Sequence, residues 1–264
     1  MPSDSVWRLI LSPPAAGREN MAIDEAILQQ ARLGRVAPTL RLYAWDPPCL
    51  SLGRAQSLED VDMDRLQAEG WEWVRRPTGG RAILHTDELT YSVAGPMDHP
   101  DLGGGVLDSY RRLSHGLVHA LELLGVTPDP LSGAPADEEG RRQPICFEVP
   151  SAYEITVGGR KLIGSAQVRR GGAVLQHGTL PLRGDLTRIC RALRYADEAS
   201  RRAAGRRLTD HAATLEQVSG RTVSWEEAAG AFAKGFEQAL GWDLRDDALT
   251  PEERGRTIPA AALR

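Results

Sequence analysis

The chain has 264 residues, 41% of them hydrophobic, and a formal net charge of -4 with a calculated pI near 5.9. That length suits one large domain or two small ones with a substantial core, and the negative balance excludes a general electrostatic pull toward nucleic acid or anionic membranes. Cys49, Cys146 and Cys190 are widely spaced without a CxxC pair, which excludes a disulfide framework or a structural zinc site and points to a reducing compartment.

The first 20 residues, MPSDSVWRLILSPPAAGREN, hold an apolar stretch too short for a signal segment, with no basic residues before it. No later run approaches membrane-spanning length, so the expectation is an unprocessed, cytoplasmic protein without membrane partners. Residues 6–11 read as a strand. Gly17 opens a segment in which Ile23, Ile27 and Ala31 recur at helical spacing until Gly34. Short apolar runs near 39–44, 49–53, 72–74, 82–85 and 89–94, separated by Pro and Gly, predict strands of one sheet. A helix follows near 107–124.

Residues 127–144 are rich in Pro, Gly and charge and predict a loop with too little apolar material to pack. From 152 the pattern alternates, and Gly158-Gly159 and Gly171-Gly172 supply the positive backbone angles that close two hairpins, giving a three-strand meander. After Arg183 the composition turns helical. Ser224 and Glu227 form a capping signature before Trp225, Ala229, Phe232, Phe236 and Leu240. Thr250, Pro251 and Glu253 start a last short helix.

Lys161 and Lys234 are the only lysines beside 30 arginines, so a lysine kept within GRKLIGSAQ draws interest wherever a titratable amine is needed. Period-two alternation puts Lys161, Ser165 and Gln167 on one side of their strand, a mostly polar face that reads either as a site wall or as a solvated surface. Cys146 follows the loop and Pro144. A buried small hydrophobe is the plain reading of such a cysteine, and a nearby ammonium or helix N-terminus would make it a nucleophile.

The run RRPTGGRAILHTDELTYS, residues 75–92, combines the close backbone approach allowed by Gly79-Gly80 with possible anion donors Arg75, Arg76 and Arg81. The alternative is a hairpin turn with solvated arginines. His85 reads as a ligand contact or a satisfied strand histidine. Neither GxxxxGK[ST] nor GxGxxG occurs, GxSxG is absent, and the His115–His119 pair lacks the glutamate of HExxH, so no nucleotide, hydrolase elbow or metal site is indicated.

Three segments in order, ENMAIDEAIL at 19–28, RRPTGGRAILHTDELTYS at 75–92 and CFEVPSAYEITVGGRKLIGSAQVRRGGAVLQHG at 146–178, resemble the biotin/lipoate protein ligase superfamily. Within it, the chain is similar to the cysteine-dependent octanoyltransferases. The resemblance implies an α+β fold: a mixed β-sheet flanked by helices, like class II aminoacyl-tRNA synthetases and biotin synthetases, as a single catalytic domain over 1–264. It also implies that Cys146 is the nucleophile, that Lys161 meets the acyl carbonyl, and that Gly79-Gly80 lines the acyl pocket. Arg75, Arg76, Arg81, His85, Ser165, Gln167 and His177 are the further substrate-binding residues expected on this reading, while Cys49 has no role in it.

The activity so implied moves octanoyl from octanoyl-acyl carrier protein to the lysine of a lipoyl domain or glycine cleavage H protein, without ATP, metal or other cofactor. Acidic carriers would dock on Arg75, Arg76, Arg169 and Arg170. Three alternatives stay open on residues alone: an ATP-dependent lipoate ligase, an amidotransferase between lipoyl-domain proteins, and a noncatalytic acyl- or carrier-binding module.

Overall fold

The computed structural model describes residues 6–131 and 154–254; Cys146 and residues 132–144 of the expected loop lie outside them. In chain order the strands are β1 (Val6–Leu11), β2 (Thr39–Tyr43), β3 (Cys49–Leu52), β4 (Glu72–Arg75), β5 (Ile83–His85), β6 (Glu88–Pro96), β7 (Ile155–Val157), β8 (Arg160–Arg170), β9 (Ala173–Pro181) and β10 (Asp243–Asp246). Seven make a mixed sheet in the order β10-β1-β2-β6-β9-β8-β7, and β4-β3-β5 make a separate one. The expectation of a single sheet for the runs up to residue 94 is thereby corrected. Pro47 and Pro48 follow β2 and withhold the N–H groups that would carry its ladder onward, and β3 pairs instead with β4 and β5.

Alternation along the large sheet sorts its side chains onto two covered faces. Trp7, Leu42, Tyr91 and Val174 join the main core with α3 (Val106–Leu123) and α7 (Trp225–Leu240). These two helices approach closely because Gly116 and Gly235 meet there: a Cβ on Gly235 would lie 2.5 Å from the Gly116 carbonyl oxygen. On the opposite face Ile10, Ala94 and Leu175 pack on Ile23, Ile27 and Leu28 of α1 (Gly17–Arg32). The small sheet leans on this second face through Met21, Tyr43, Trp45, Cys49 and Val74.

The meander from β7 to β9 forms as expected, with φ of 58° and 75° at Gly158-Gly159 and 59° and 85° at Gly171-Gly172. Helix α7 starts as anticipated, with Ser224 Oγ accepting from Glu227 N at 3.1 Å. The Glu227 carboxylate turns to Arg221 rather than back to Ser224. The shorter helices are α2 (Met63–Ala68), α4 (Ile189–Ala192), α5 (Glu198–His211) and α6 (Leu215–Ser219). At the last helix, α8 (Pro251–Arg254), Thr250 and Glu253 cap each other in both directions, and Glu253 also holds the buried Arg8 guanidinium. Strand β10, sequence DLRD, pairs parallel with β1. Its sequence carries one apolar residue and no alternating pattern, so pattern reading has nothing to find.

Candidate active site

A cavity opens where α1, the large sheet and the small sheet meet. Met21, Tyr43, Trp45 and Ile83 make its apolar walls, while Ser51, Arg76, His85, Glu154 and His177 supply polar groups. Gly164 and Ala166 of β8 lie on it with little side chain, leaving room that larger residues would fill. Gly80 also lines it, at φ 86°, a conformation that favours glycine. Gly53 shares in the turn: a Cβ there would meet the Gly80 carbonyl oxygen at 1.9 Å.

A directed hydrogen-bond chain crosses one wall. Arg76 Nη1 donates to Ser51 Oγ at 3.1 Å, Ser51 Oγ meets His85 Nε2 at 2.7 Å, and His85 Nδ1 meets Glu88 Oε1 at 2.6 Å. Glu88 accepts, so Nδ1 carries a proton that it donates to the carboxylate. Thr90 donates to the same carboxylate at 2.5 Å and accepts from the Trp45 indole at 2.8 Å, while the Trp45 ring stacks on His85 at 3.9 Å.

The opposite wall is built on Asp24. Its buried carboxylate accepts from Arg41, Tyr43 and Ser92 at 2.8 to 2.9 Å and from His177 Nδ1 at 3.4 Å. Burial opposes its ionisation, but the His177 hydrogen bond and the Arg41 charge outweigh that and hold its pKa below the usual range. Burial lowers the His177 pKa, so the imidazole is neutral at neutral pH and its Nε2 accepts from Thr78 Oγ at 2.7 Å, next to the double glycine. Asn20 completes the knot through Arg41 and through the carbonyls of Ala15 and Ala44. Asn20 and Asp24 are site residues beyond those expected from the sequence, and their signal there is two polar residues four apart beside Ile23 and Ile27, on the buried stripe of a helix.

Lys161 is fully buried, and its ammonium contacts the carboxylate of Glu154, which lines the cavity. The polar side of β8 is buried at Lys161 and half-buried at Ser165 and Gln167. Ser165 Oγ bonds Tyr91 OH at 2.7 Å and also borders the cavity, whereas Gln167 turns to Ser109 and Gln176 and leaves it. Cys146 lies outside the described residues. Cys49 is buried against Gly17, and burial pushes its thiol pKa far up, consistent with a packing role. Among the described residues no cluster of His, Cys, Asp or Glu suits a metal ion, and no helix is long and apolar enough to cross a membrane.

The arginines divide differently from the docking expectation. Arg76 is buried and donates to the carbonyls of Ser51, Gly79 and Arg81, so it braces the glycine turn, which is not a hairpin with solvated arginines. Arg75 donates to the carbonyls of Gly53, Arg54 and Gln56, and Arg169 to those of Leu102, Gly104 and Gly105. Arg81 and Gly79 lie beside the cavity wall rather than on it, while Arg76, Gly80, His85, Ser165 and His177 share it.

Residues 16–237 match the family described as the lipoyl protein ligase A/B catalytic domain, and the chain belongs to it. Octanoyltransferase LipM of Kyrpidia tusciae is 44% identical over 255 residues, covering 94% of this chain and 92% of the relative. The protein of the same name from Symbiobacterium thermophilum is 46% identical over 253 residues, covering 94% and 91%. In three dimensions the chain is similar to a bipartite lipoate protein ligase from Thermoplasma acidophilum, with TM-score 0.77, 27% identity and 96% and 90% of the two chains covered. The mixed sheet flanked by helices is thus the catalytic fold of lipoate ligases, as the resemblance implied.

Proposed function

We propose that this chain is an acyltransferase that moves octanoyl from octanoyl-acyl carrier protein to the lysine of a lipoyl domain or glycine cleavage H protein. The observation that carries the reading is a narrow cavity with apolar walls, flanked by a fully buried lysine, in a chain 44% and 46% identical to proteins named octanoyltransferase. Cys146 thiolate attacks the donor thioester carbonyl. The new carbon–sulfur bond forms through a tetrahedral oxyanion, the old one breaks, and the carrier thiolate leaves and takes up a proton. The neutral amine of the acceptor lysine then attacks the enzyme thioester, loses a proton, and expels Cys146 as an amide forms.

Lys161 serves as donor to the oxyanion in both steps, with Glu154 fixing its ammonium. A well-placed donor of this kind contributes about 3 kcal/mol. Arg76, through its carbonyl contacts, holds Gly80 against the acyl chain. Intact-mass measurement after mixing with octanoyl carrier is expected to give a single octanoyl adduct on the wild type and none on Cys146→Ser. An active Cys146→Ala protein ends the covalent route, and lipoate-dependent pyrophosphate release from ATP replaces it with a ligase. Adduct formation from an octanoylated lipoyl-domain protein but not from the carrier identifies an amidotransferase.

A further inference from the structure

Five hydroxyl-bearing side chains border the cavity: Tyr43, Ser51, Thr90, Ser165 and Thr179. Four of them are committed within the protein. Tyr43 donates to Asp24, Ser51 joins Arg76 and His85, Thr90 joins Glu88 and the Trp45 indole, and Ser165 joins Tyr91. The fifth is not: Thr179 is buried, and its Oγ1 has no hydrogen-bond partner among the described residues. A hydroxyl buried without a partner forfeits its bonds to water, so such a group on a cavity wall points to a polar ligand atom that completes the bond.

The strand ladders fix where Thr179 stands. On β9 it lies opposite Gly164 of β8 on one side and opposite Thr90 of β6 on the other. Gly164 and Thr179 open the β8–β9 ladder, and Lys161 precedes Gly164 by about 10 Å of strand, so Thr179 borders the cavity at its lysine end. Lys161 faces the same way. Ile155 pairs with Ile163, but the next residue of β7, Thr156, pairs with Lys161, so the register shifts by one at Leu162. Paired residues share a face and successive residues of a strand alternate, which puts Lys161 and Ile163 on opposite sides and Lys161, Gly164 and Thr179 on one. Unbroken alternation groups Lys161 with Ser165 instead, and this bulge parts them. Glu154, two residues before Thr156, falls on the side of Lys161, in keeping with their contact.

We propose that Thr179 is a catalytic residue whose hydroxyl donates to the carbonyl oxygen of the bound acyl thioester, beside the Lys161 ammonium. The inference rests on the octanoyl-transfer reading above. An octanoyl thioester offers a strong acceptor only at that oxygen, and the apolar walls take the rest of the chain. Gly164 brings no side chain to the space before Thr179, and rotation about the Thr179 Cα–Cβ bond between staggered positions swings the hydroxyl onto the oxygen. As the Cys146 sulfur adds, the carbonyl π pair moves onto that oxygen, and it returns when the tetrahedral species collapses and the carrier thiolate leaves. Thr179 keeps its own proton throughout and acts by donating a hydrogen bond to the developing charge. Two donors of unlike kind thus serve one oxygen: a cation fixed by Glu154 and a neutral hydroxyl.

Two variants test it, with single-turnover octanoylation by octanoyl carrier followed by intact mass, and complete transfer followed with a lipoyl domain as acceptor. Thr179→Val keeps the branched shape and drops the hydroxyl. Its rate of adduct formation and its kcat are expected to fall about 100-fold, as for the loss of a single oxyanion donor, with KM little changed. Its melting temperature is expected at or above that of wild type, because no hydrogen bond within the protein is lost. Thr179→Ser restores the hydroxyl and is expected to recover most of the rate. Wild-type rates in Thr179→Val overturn the proposal. So does a Thr179→Ser protein as slow as Thr179→Val, which gives the residue a packing role, and so does a loss of rate that only tracks loss of folded protein. Those three outcomes leave the octanoyl-transfer reading standing, whereas absence of any adduct on wild type from octanoyl carrier sinks that reading and this one together.

Discussion

Two buried ion pairs flank the cavity, and they differ in build. Asp24–Arg41 lies between α1 and β2, with both side chains fully buried. Arg41 satisfies its guanidinium on Ser12, on the carbonyl and side chain of Asn20, and on Asp24, and its face covers the Tyr43 ring at 3.9 Å. A planar, permanently charged fork fits such a fixed junction of elements. Glu154–Lys161 also lies out of solvent, but it uses an ammonium on a flexible stem and places its carboxylate on the cavity. Arginine fills nearly every other basic position, and the contrast teaches what each shape suits: the rigid fork ties fixed elements together, while the single ammonium holds a cavity-lining carboxylate.

Breaking the architectural pair has the largest expected effect. Asp24→Asn leaves Arg41 charged and buried without its counter-ion, and loss of one partner of such a pair costs about 3 to 5 kcal/mol. Urea denaturation is the check. A midpoint within a few tenths of a molar of wild type contradicts the assignment of Asp24 as the centre of the knot.

The second pair breaks differently. Lys161→Met strands the Glu154 carboxylate and lowers both stability and rate, the rate by about 100- to 1000-fold for a lost oxyanion donor. Adding Glu154→Gln removes the stranded charge, so thermal stability is expected to recover while the rate stays low. Recovery of rate together with melting temperature makes Lys161 a purely structural residue. Lys161→Arg complements this test: it keeps the charge, alters geometry and titration, and is expected to fold yet turn over poorly.

Much of this arrangement was legible before any coordinates. Helices α1, α3 and α7 and the two glycine-closed hairpins follow from periodicity and turn chemistry, which are local. What pattern could not give is long-range partnership. The split into two sheets depends on where β3 lands after Pro47-Pro48. The strand at 243–246 has no apolar alternation, being a polar edge beside β1. Within the site, His85 and His177 stood out as residue types, but Glu88, Ser51, Asp24 and Thr78 acquire meaning only from contacts that span up to 153 positions of sequence. Arg169 and Arg170 are adjacent arginines, yet alternation sends one to the carbonyls before α3 and the other to the exposed surface beside Val168.

Acidity offers the gentlest way to separate the two pairs, because only the Asp24 side carries a histidine whose protonation burial resists. His177 has a folded-state pKa below its ordinary value of 6.5, so in the window beneath 6.5 the unfolded chain takes up a proton that the native imidazole refuses. Stability from this group is therefore complete above pH 6.5 and declines as pH falls through the depressed native value. Asp24 follows the same direction further down, since its lowered pKa means that stability is lost on acidification below its ordinary 3.8. His99, also lowered by burial, contributes to the same acid slope and stays present in the comparison protein. Replacing His177 with Gln keeps groups able to bond Asp24 and Thr78 but removes the titration, so the stability of His177→Gln is expected to fall less than that of wild type between pH 7 and pH 5. The difference should be smaller than the loss in Asp24→Asn. Parallel urea midpoints for the two proteins across that range mean that the native histidine takes its proton as readily as the unfolded chain, and the neutral imidazole bridging Asp24 to Thr78 must then be given up.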